Sequence, residues 1–482
     1  MKNIFKFKNT YKIQLYDQCK TFVALILSIS FLLTSCNYVA PFTIVPPSST
    51  PSSGSTSTII PITTTQSTII DTTTPNGSTP TLTPDITMPE DTFTESPETT
   101  PAVTPTPSAT PSSTPEITPD ITAPDTTPVV IPPKTPADPD ADFYFSTEGM
   151  YSLSKEHNVL IFVVDRLDYD IIAKILKKNK NFFSPLDGFT GYDNAISEFA
   201  RTQPGAVHIL TGYEENVYLE SRRKFLDNSF LKTGILDNIK NSGYSIEFYA
   251  NSYEYFGTPY KFYDLVTNLK WTYEEDPKDE YTADDYEFAK GIKNITLSSP
   301  LPTFKLYHMF GSHNPYKLNA DGTKSSETTS AVEQTMGCFT YLFRYFEKMK
   351  ELGVYDNSEI FIIADHGQAI SDTKPLQKAT AIGLFHKPSG SSNTDFKFTS
   401  APVSHRNVPP ALLRAVGYEN YSSMGVCLDE VDENAKITRY FYKSVVIEKH
   451  ESRIYKYAIT GNALDFSNWK IIKEYDATHY FY

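Results

Sequence analysis

Residues 158–165 read Asn-Val-Leu-Ile-Phe-Val-Val-Asp, and this stretch decides the fold. Residues 360–367, Ile-Phe-Ile-Ile-Ala-Asp-His-Gly, repeat its pattern far along the chain, with an apolar run that ends in an acid. Unbroken Val, Ile and Phe runs of this length are typical of strands buried on both faces, as in parallel sheets of α/β proteins. Open α/β sheets bind ligands at the carboxyl ends of their strands. We therefore expect Asp165, Asp365 and His366 to meet at one edge of a sheet.

The N-terminal segment predicts export. Residues 1–20 are basic, residues 21–33 are apolar, and a cysteine follows at Cys36. The apolar run is shorter than the ~20 residues of a membrane-spanning helix and suits the hydrophobic region of a signal peptide. Leu-Thr-Ser before Cys36 resembles the lipobox of bacterial lipoproteins. We interpret residues 1–36 as a lipoprotein-type signal peptide with Cys36 lipidated, and an uncleaved anchor helix is the alternative. Both place the rest of the chain on the extracellular face of a bacterial cell membrane.

Composition divides the remainder of the 482 residues. Residues 37–142 are mainly Thr, Ser and Pro, with too few large apolar side chains to offset the entropy of ordering the chain. We predict a disordered linker that can extend through a cell wall. The formal net charge of −14 argues against a nucleic-acid partner. Cys338 and Cys427 lack metal-type spacing and are interpreted as packing thiols, with a single bridge as the alternative.

The folded part is predicted to be an α/β domain over residues 143–420, with a β-rich subdomain packed on it over residues 421–482. Alternating strands and helices indicate βαβ units and a mostly parallel central sheet flanked by helices. After Gly417, Tyr-rich alternating segments predict a small antiparallel C-terminal piece. The strands of the sheet are expected at residues 158–164, 189–196, 245–250, 303–310, 359–364 and 380–385, and the helices at 169–179, from 206 to 210, 229–242, 328–352 and 407–416.

Four segments carry residue types suited to chemistry, and they occur in a definite order. They are residues 165–170 (Asp-Arg-Leu-Asp-Tyr-Asp), residues 201–212 (Arg-Thr-Gln-Pro-Gly-Ala-Val-His-Ile-Leu-Thr-Gly), residues 310–316 (Phe-Gly-Ser-His-Asn-Pro-Tyr) and residues 365–367 (Asp-His-Gly), with Ser404-His405-Arg406-Asn407 behind the last. In this order they resemble the sulfatase and alkaline phosphatase superfamily, over roughly residues 157–417. The resemblance implies an alkaline-phosphatase-like fold.

The second segment resembles the nucleophile block of that superfamily. In sulfatases the nucleophile is a Cys or Ser that is oxidised to formylglycine and followed by Pro-Ser-Arg, whereas this chain has Thr202 and then Pro204-Gly205-Ala206. A threonine here is similar to the lipoteichoic acid synthases, phosphoethanolamine transferases and nucleotide pyrophosphatases, which act on phosphorus. The resemblance therefore implies a metal-dependent phosphotransferase or phosphodiesterase.

The resemblance assigns Asp165, Thr202, Asp365 and His366 to a divalent metal ion. Carboxylates and imidazole suit Zn²⁺, and carboxylates also suit Mn²⁺, with Mg²⁺ or Ca²⁺ remaining open. Such an ion would favour deprotonation of the Thr202 hydroxyl, which would then form a covalent phospho-intermediate. Asp165 stands where the synthase and transferase branches usually carry Glu, which favours the phosphodiesterase comparison.

One metal is expected rather than two. Alkaline phosphatases complete a second site with an Asp four residues before a His, and here Met309 occupies that place before His313. His313 and His405 are expected to bind phosphate, protonate the leaving group or activate water. His308 and His386 adjoin apolar strands and are interpreted as core histidines.

Simpler roles compete with these assignments. Asp165 would cap the helix at residue 169, Thr202 would cap the helix that follows it, and His405 would cap the helix at residue 407. The alternative functions are a sulfuric ester hydrolase with an unmodified threonine and a non-catalytic binder of anionic wall polymers. The expected partner is a phosphorylated or sulfated small molecule or cell-envelope polymer.

Overall fold

The computed structural model describes residues 142–215, 220–257, 264–272, 277–368, 373–448 and 451–477. All of them belong to one compact unit. The predicted signal peptide, the lipidation at Cys36 and the linker up to residue 141 lie outside the described residues. No helix within the described ranges has the length and apolarity required to cross a membrane.

The described residues form twelve strands and seven α-helices. The strands are β1 (Asp142–Phe145), β2 (Asn158–Val164), β3 (Thr190–Ala195), β4 (Ser245–Tyr249), β5 (Leu269–Thr272), β6 (Thr303–Met309), β7 (Ser358–Ile363), β8 (Ile382–Lys387), β9 (Lys397–Thr399), β10 (Thr438–Glu448), β11 (Glu451–Thr460) and β12 (Trp469–Asp476). The helices are α1 (Tyr169–Lys178), α2 (Thr202–Thr211), α3 (Arg222–Thr233), α4 (Ile235–Asn241), α5 (Asp285–Gly291), α6 (Ala331–Glu351) and α7 (Val408–Ala415).

The central sheet has the order β4-β6-β2-β7-β8-β3-β9 among the described strands. Strands β4, β6, β2 and β7 run parallel to one another, and β8 runs antiparallel to both β7 and β3. All residues of β2, β6 and β7 are buried. Such double burial is the reason for the apolar runs of β2 and of residues 360–363 in β7, whereas β6 also buries Lys305 and His308. The predicted α/β fold with a mostly parallel central sheet is confirmed.

Helix α6 covers one face of this sheet through aromatic contacts. The Phe162 ring of β2 stacks on Tyr307 of β6 with centroids 5.0 Å apart, and Tyr345 of α6 meets Phe162 edge-on at 5.3 Å. The side chain of Ser330 caps α6, accepting a hydrogen bond from the Glu333 N–H. A capped amphipathic helix with an aromatic stripe therefore seals the strands that carry the site.

The antiparallel C-terminal piece is also confirmed, as the three-stranded sheet β10-β11-β12. Its side chains Phe441, Tyr457 and Trp469 form an apolar cluster with Ile196 and Leu376. In addition, the Tyr442 N–H donates a hydrogen bond of 2.7 Å to the carbonyl of Glu198, which follows β3. The three strands therefore pack against the segments that flank β3 and β8.

Some elements differ from the sequence expectation. The helix predicted over residues 229–242 is two helices, α3 and α4, because Gly234 adopts a left-handed conformation with φ +58° and ends α3. The helix expected from residue 206 begins earlier, at Thr202. The short strands β1, β5 and β9 had no predicted counterpart. Cys338 and Cys427 are buried free thiols, as their interpretation as packing residues requires.

Candidate active site

The carboxyl ends of three neighbouring parallel strands meet at the candidate site. Strand β2 lies between β6 and β7, with Val163 opposite both His308 and Ile363. Asp165 follows β2 directly, and Asp365 lies two residues beyond the end of β7. The sheet topology therefore brings together residues that are far apart in the sequence.

The two acids are held in different ways. Oδ1 of Asp365 accepts hydrogen bonds from the backbone N–H groups of Arg166 (3.0 Å) and His366 (2.8 Å). Burial alone would raise the pKa of Asp365, but His366, His308 and the Arg166 N–H outweigh it and hold that pKa below its ordinary value. Burial and the charge of Asp365 raise the pKa of Asp165 well above its ordinary value. An apposed pair of buried carboxylates of this kind favours a bound cation.

Arg166 has a strained backbone that serves this arrangement. Its φ is +60°, a left-handed conformation that is uncommon for a residue with a side chain. This conformation directs the Arg166 N–H at Asp365, while its guanidinium donates a hydrogen bond of 3.1 Å to the Asn314 side chain. The chain turn after β2 is therefore fixed by contacts to two of the other segments.

His366 presents one nitrogen to the acids. Its Nδ1 lies 2.7 Å from the Gly367 carbonyl, and because a carbonyl only accepts, Nδ1 carries the proton. Nε2 lies 3.6 Å from Asp365 Oδ2, 3.8 Å from Asp165 Oδ1 and 3.4 Å from Thr202 Oγ1. Burial lowers the pKa of His366, which favours the neutral imidazole that binds metals.

Thr202 is the first residue of α2 and does not cap it. Arg201 occupies the capping position, and no side-chain hydrogen bond caps the helix there. Pro204 falls in the first turn, where its missing N–H has no helical partner to lose. The Thr202 hydroxyl therefore faces His366 at the positive end of the helix dipole, a favourable place for a phosphate group.

Gly205 allows α2 to approach the second acid closely. A Cβ at position 205 would lie 2.3 Å from the carbonyl oxygen of Asp365. Only glycine permits this backbone contact, which positions the first turn of α2 against the loop after β7. Gly205, which stands where the sulfatase pattern has Ser, is thus required here by the close approach of the two backbones.

His308 also belongs to the site, and its interpretation as a core histidine was wrong. Its Nε2 lies 3.9 Å from Asp365 Oδ2 and 4.0 Å from Asp165 Oδ2. Neither ring nitrogen has a hydrogen-bond partner among the described residues. The sequence did contain a signal, because His308 lies at the carboxyl end of a buried strand, as Asp165 and Asp365 do.

These side chains suit a divalent metal ion. Ligand atoms of Asp165, His308 and Asp365 all lie within 4.8 Å of one another. Within the described part of the chain, Asp165 Oδ1 and Asp365 Oδ2 are buried without a hydrogen-bond partner. Unpaired buried carboxylate oxygens are costly unless a cation compensates them. Together with His366 and Thr202, the set offers the oxygen and nitrogen donors that Zn²⁺ and Mn²⁺ accept.

The two remaining predicted histidines occupy different places. His313 is half-buried, and its Nδ1 donates a hydrogen bond of 2.5 Å to the Asn314 carbonyl. It also contributes to the lowered pKa of His366. His405 is fully buried, and its Nε2 donates a hydrogen bond of 2.8 Å to the Ala364 carbonyl. The structure therefore places His313 beside the site, whereas His405 contacts the backbone behind Asp365.

Asp168, rather than Asp165, caps helix α1. Its Oδ1 accepts a hydrogen bond from the Asp170 N–H, and its Oδ2 accepts one of 2.9 Å from the Gln368 N–H. Asp168 is buried, and its hydrogen bond from the Gln368 N–H joins the loop after β2 to the loop after β7. The capping alternative for Asp165 has no support in this geometry.

A cavity of about 330 Å³ opens next to Thr202, with the neighbouring Gln203 in its lining. It is lined by Gln203, Ser221, Arg222, Arg223, Leu226, Glu254 and Gly257. Arg222 and Arg223 supply positive charge to this space. Glu254 belongs to the same lining, 3.5 Å from Arg223, and offsets part of this charge.

Comparison with known proteins supplies a family. The family model described as Sulfatase matches residues 171–418. A search of curated proteins found no match. Similar solved structures include the lipoteichoic acid synthase LtaP from Listeria monocytogenes (13% identity, covering 68% of this chain and 88% of that one, TM-score 0.38). They also include the phosphonate monoester hydrolase SpPMH from Silicibacter pomeroyi (13%, 64% and 88%, TM-score 0.40) and a Bacteroides thetaiotaomicron glycosaminoglycan-metabolism protein, BT33494S-sulf (15%, 66% and 89%, TM-score 0.43).

Proposed function

Because this chain belongs to the sulfatase family of hydrolases and transferases, we propose that it cleaves phosphate esters or phosphodiesters with Thr202 as the nucleophile. The observation that carries the proposal is the position of the Thr202 hydroxyl. It lies at the start of α2, makes no capping hydrogen bond and approaches His366 Nε2 at 3.4 Å. A hydroxyl that makes no capping hydrogen bond and lies close to potential metal ligands is suited to attack an electrophile.

Asp165, Thr202, Asp365 and His366 would hold one divalent ion, with His308 next to both carboxylates. The ion, Zn²⁺ or Mn²⁺ by the donor set and Mg²⁺ or Ca²⁺ as alternatives, would supply Lewis acidity toward the phosphoryl oxygen and favour the threonine alkoxide. Sulfatase-family proteins typically bind a divalent metal, and the unpaired oxygens described above fit this requirement.

In the first half of the reaction, Thr202 Oγ1 gives its proton to solvent and forms a bond to phosphorus. The bond between phosphorus and the leaving oxygen breaks, and the electron pair stays on that oxygen. His313 donates a proton to this oxygen, so the leaving group departs as a neutral alcohol. The free N–H groups of Thr202 and Gln203 at the helix start face the phosphoryl oxygens.

In the second half, water or an alcohol attacks phosphorus and the bond to Thr202 breaks. Neutral His313 accepts the proton of the attacking group, which restores its starting state. The Thr202 oxygen recovers a proton from solvent. The product is a phosphate monoester or free phosphate when water attacks, and a new ester when an alcohol attacks.

The residue at position 202 favours phosphate over sulfate. Formylglycine arises from Cys or Ser, and a threonine cannot form the same aldehyde because its Cβ carries a methyl group. A threonine ester of phosphate can still be cleaved by attack at phosphorus. Sulfate-ester cleavage with an unmodified threonine remains the second candidate, and aryl sulfate assayed beside aryl phosphate distinguishes the two.

The substrate is proposed to be anionic and part of the cell envelope. Arg222 and Arg223 line the cavity next to Gln203 and would bind a second negative group. The signal-type residues 1–36, with lipidation at Cys36, would anchor the enzyme on the outer face of the membrane. Residues 37–142 would then let it reach phosphorylated or sulfated polymers in the wall.

The test combines turnover with trapping of the intermediate. Wild type should hydrolyse bis(p-nitrophenyl) phosphate, and Thr202→Ala should lose this turnover while keeping its thermal unfolding midpoint. Mass spectrometry of rapidly quenched wild type should find a p-nitrophenyl phosphoryl group, which is what remains of the diester after p-nitrophenolate leaves, on the peptide that contains Thr202. Full turnover by Thr202→Ala, or this adduct on another residue, would show that the nucleophile is assigned wrongly.

A further inference from the structure

Three titratable side chains meet behind the candidate active site. Glu198 follows β3, His208 lies in α2, and His405 precedes α7; their exposed fractions are 0%, 1% and 0%. His208 Nδ1 lies 3.2 Å from Glu198 Oε2, and His405 Nδ1 lies 3.9 Å from the same oxygen. Ligand atoms of all three lie within 4.8 Å of one another. We call this set the buried cluster.

The buried cluster has more hydrogen-bond acceptors than donors. Nε2 of His405 donates to the Ala364 carbonyl, so the neutral ring presents a lone pair at Nδ1 toward Glu198. Burial lowers the pKa of His405 to about 4, which keeps the ring neutral. Burial would raise the pKa of Glu198, but His208 and His405 outweigh it and hold that pKa below its ordinary value. An ionised carboxylate and an imidazole lone pair therefore face each other.

Five polar atoms of the buried cluster lack a hydrogen-bond partner within the described ranges. They are both Glu198 oxygens, both His208 nitrogens and His405 Nδ1. Leaving several buried polar atoms unpaired is costly. A cation among them would satisfy the lone pairs together.

Another buried Glu–His pair shows the contrast. His386 Nε2 lies 2.6 Å from Glu359 Oε1, a direct hydrogen bond, and Glu359 Oε2 accepts a second one from the Ser389 N–H. That pair is joined by a direct hydrogen bond, and both Glu359 oxygens have partners, whereas His386 Nδ1 has none among the described residues. In the buried cluster the corresponding separations are longer, and they bracket the ~3.3 Å between donor atoms that share a tetrahedral Zn²⁺.

We propose that Glu198, His208 and His405 form a second divalent-cation site, selective for Zn²⁺ and enclosed by the fold. Two imidazoles and a carboxylate are a set that Zn²⁺ accepts, and Glu198 can occupy two positions because both of its oxygens are unpartnered. The site contains none of the residues assigned to the first metal. It therefore stands apart from the proposed function.

The position of this site indicates what it does. His208 is in the helix that begins with Thr202, and His405 holds the Ala364 carbonyl, one residue before Asp365. A Zn²⁺ ion here would cross-link α2 to the segment after β3 and to the loop before α7. We infer a structural ion that fixes the nucleophile helix relative to the loop after β7.

Metal stoichiometry of the full chain tests the proposal. Wild type loaded with Zn²⁺ and freed of excess ion should contain two zinc equivalents by elemental mass spectrometry. His208→Gln and Asp365→Asn should each contain one, and His386→Gln, which removes a buried histidine from the directly hydrogen-bonded Glu359–His386 pair, should keep two. A single equivalent in wild type that persists in His208→Gln, or two equivalents in His208→Gln, overturns the second site.

The Asp365→Asn variant separates this inference from the proposed function. It should be inactive yet retain one zinc, with an X-ray absorption spectrum of two imidazoles and carboxylate oxygen at ~2.0–2.1 Å. This measurement does not require His208→Gln to fold. A variant without zinc, or a zinc lacking the two-imidazole signature, overturns the second site even if the activity assays support Thr202.

Discussion

Replacement of Gly205 by alanine should disable the active site while leaving every proposed ligand side chain in place. The added Cβ would lie 2.3 Å from the Asp365 carbonyl oxygen, whereas ordinary contact begins at 3.4 Å. The first turn of α2 and the loop after β7 must then separate by about 1 Å, a displacement that can cost about 100-fold in rate. In activation free energy this is about 2.7 kcal/mol.

The control is Gly337→Ala in the middle of α6. Its Cβ would lie 2.5 Å from the Asn319 carbonyl oxygen, a comparable overlap that involves none of the proposed site residues. Both variants should lose about 1–3 kcal/mol of unfolding free energy by overpacking, with up to ~1 kcal/mol regained from the helix propensity of alanine. Only Gly205→Ala should also lose activity.

The assay measures kcat/KM on bis(p-nitrophenyl) phosphate alongside urea unfolding of wild type and both variants. Gly205→Ala should fall about 100-fold in kcat/KM, mainly through kcat, because the reacting groups are misplaced rather than removed. Activity within threefold of wild type, combined with an unfolding loss equal to that of Gly337→Ala, would show that the contact at Gly205 does not position the reacting groups. The approach of α2 to Asp365 would then be a packing feature only.

Three further outcomes are expected. His308→Asn should weaken binding of the first metal about 10–100-fold in chelator competition, and unchanged affinity would remove His308 from the site. His313→Asn should slow cleavage of alkyl phosphodiesters about 100-fold or more. It should slow cleavage of p-nitrophenyl esters only slightly, because p-nitrophenolate leaves without being protonated. The control His157→Asn, at the opposite end of β2, should change neither rate. In excess chelator, wild type should lose up to about 3 kcal/mol of unfolding free energy as the pH falls from 6.5 to 4. The unfolded chain binds a proton at His405 over this range and the folded chain does not, so urea unfolding of His405→Gln should give a flatter pH profile.

The sequence predicted the acid pair because one physical rule applied to it twice. Buried parallel strands place whatever follows them at a common edge, and Asp165 and Asp365 both follow such strands. The same rule applied to His308, which lies at the end of β6. Its apolar neighbours led instead to its interpretation as a core histidine. Strand-end placement was therefore a better guide than the polarity of the flanking residues.

Other features could not be predicted from local sequence. Strands β1, β5 and β9 are only three or four residues long, and their pairing depends on partners distant in the chain. Glu198 and His208 carry no recognisable spacing, since they join His405 only through the packing of α2. Gly234, by contrast, was a visible helix stop within the segment predicted as a single helix.

The position of Thr202, the proposed nucleophile, depends on the placement of α2 more than on contacts of the threonine itself. The Thr202 hydroxyl has its one described side-chain contact at 3.4 Å, too long to fix a side chain. A β-branched residue in a helix has restricted χ1 freedom, so the orientation of the helix largely sets where Oγ1 lies. That orientation is in turn fixed by the close backbone contact at Gly205 and by the position of His208 in the buried cluster. A shift of α2 should therefore impair catalysis even when every reacting side chain is intact.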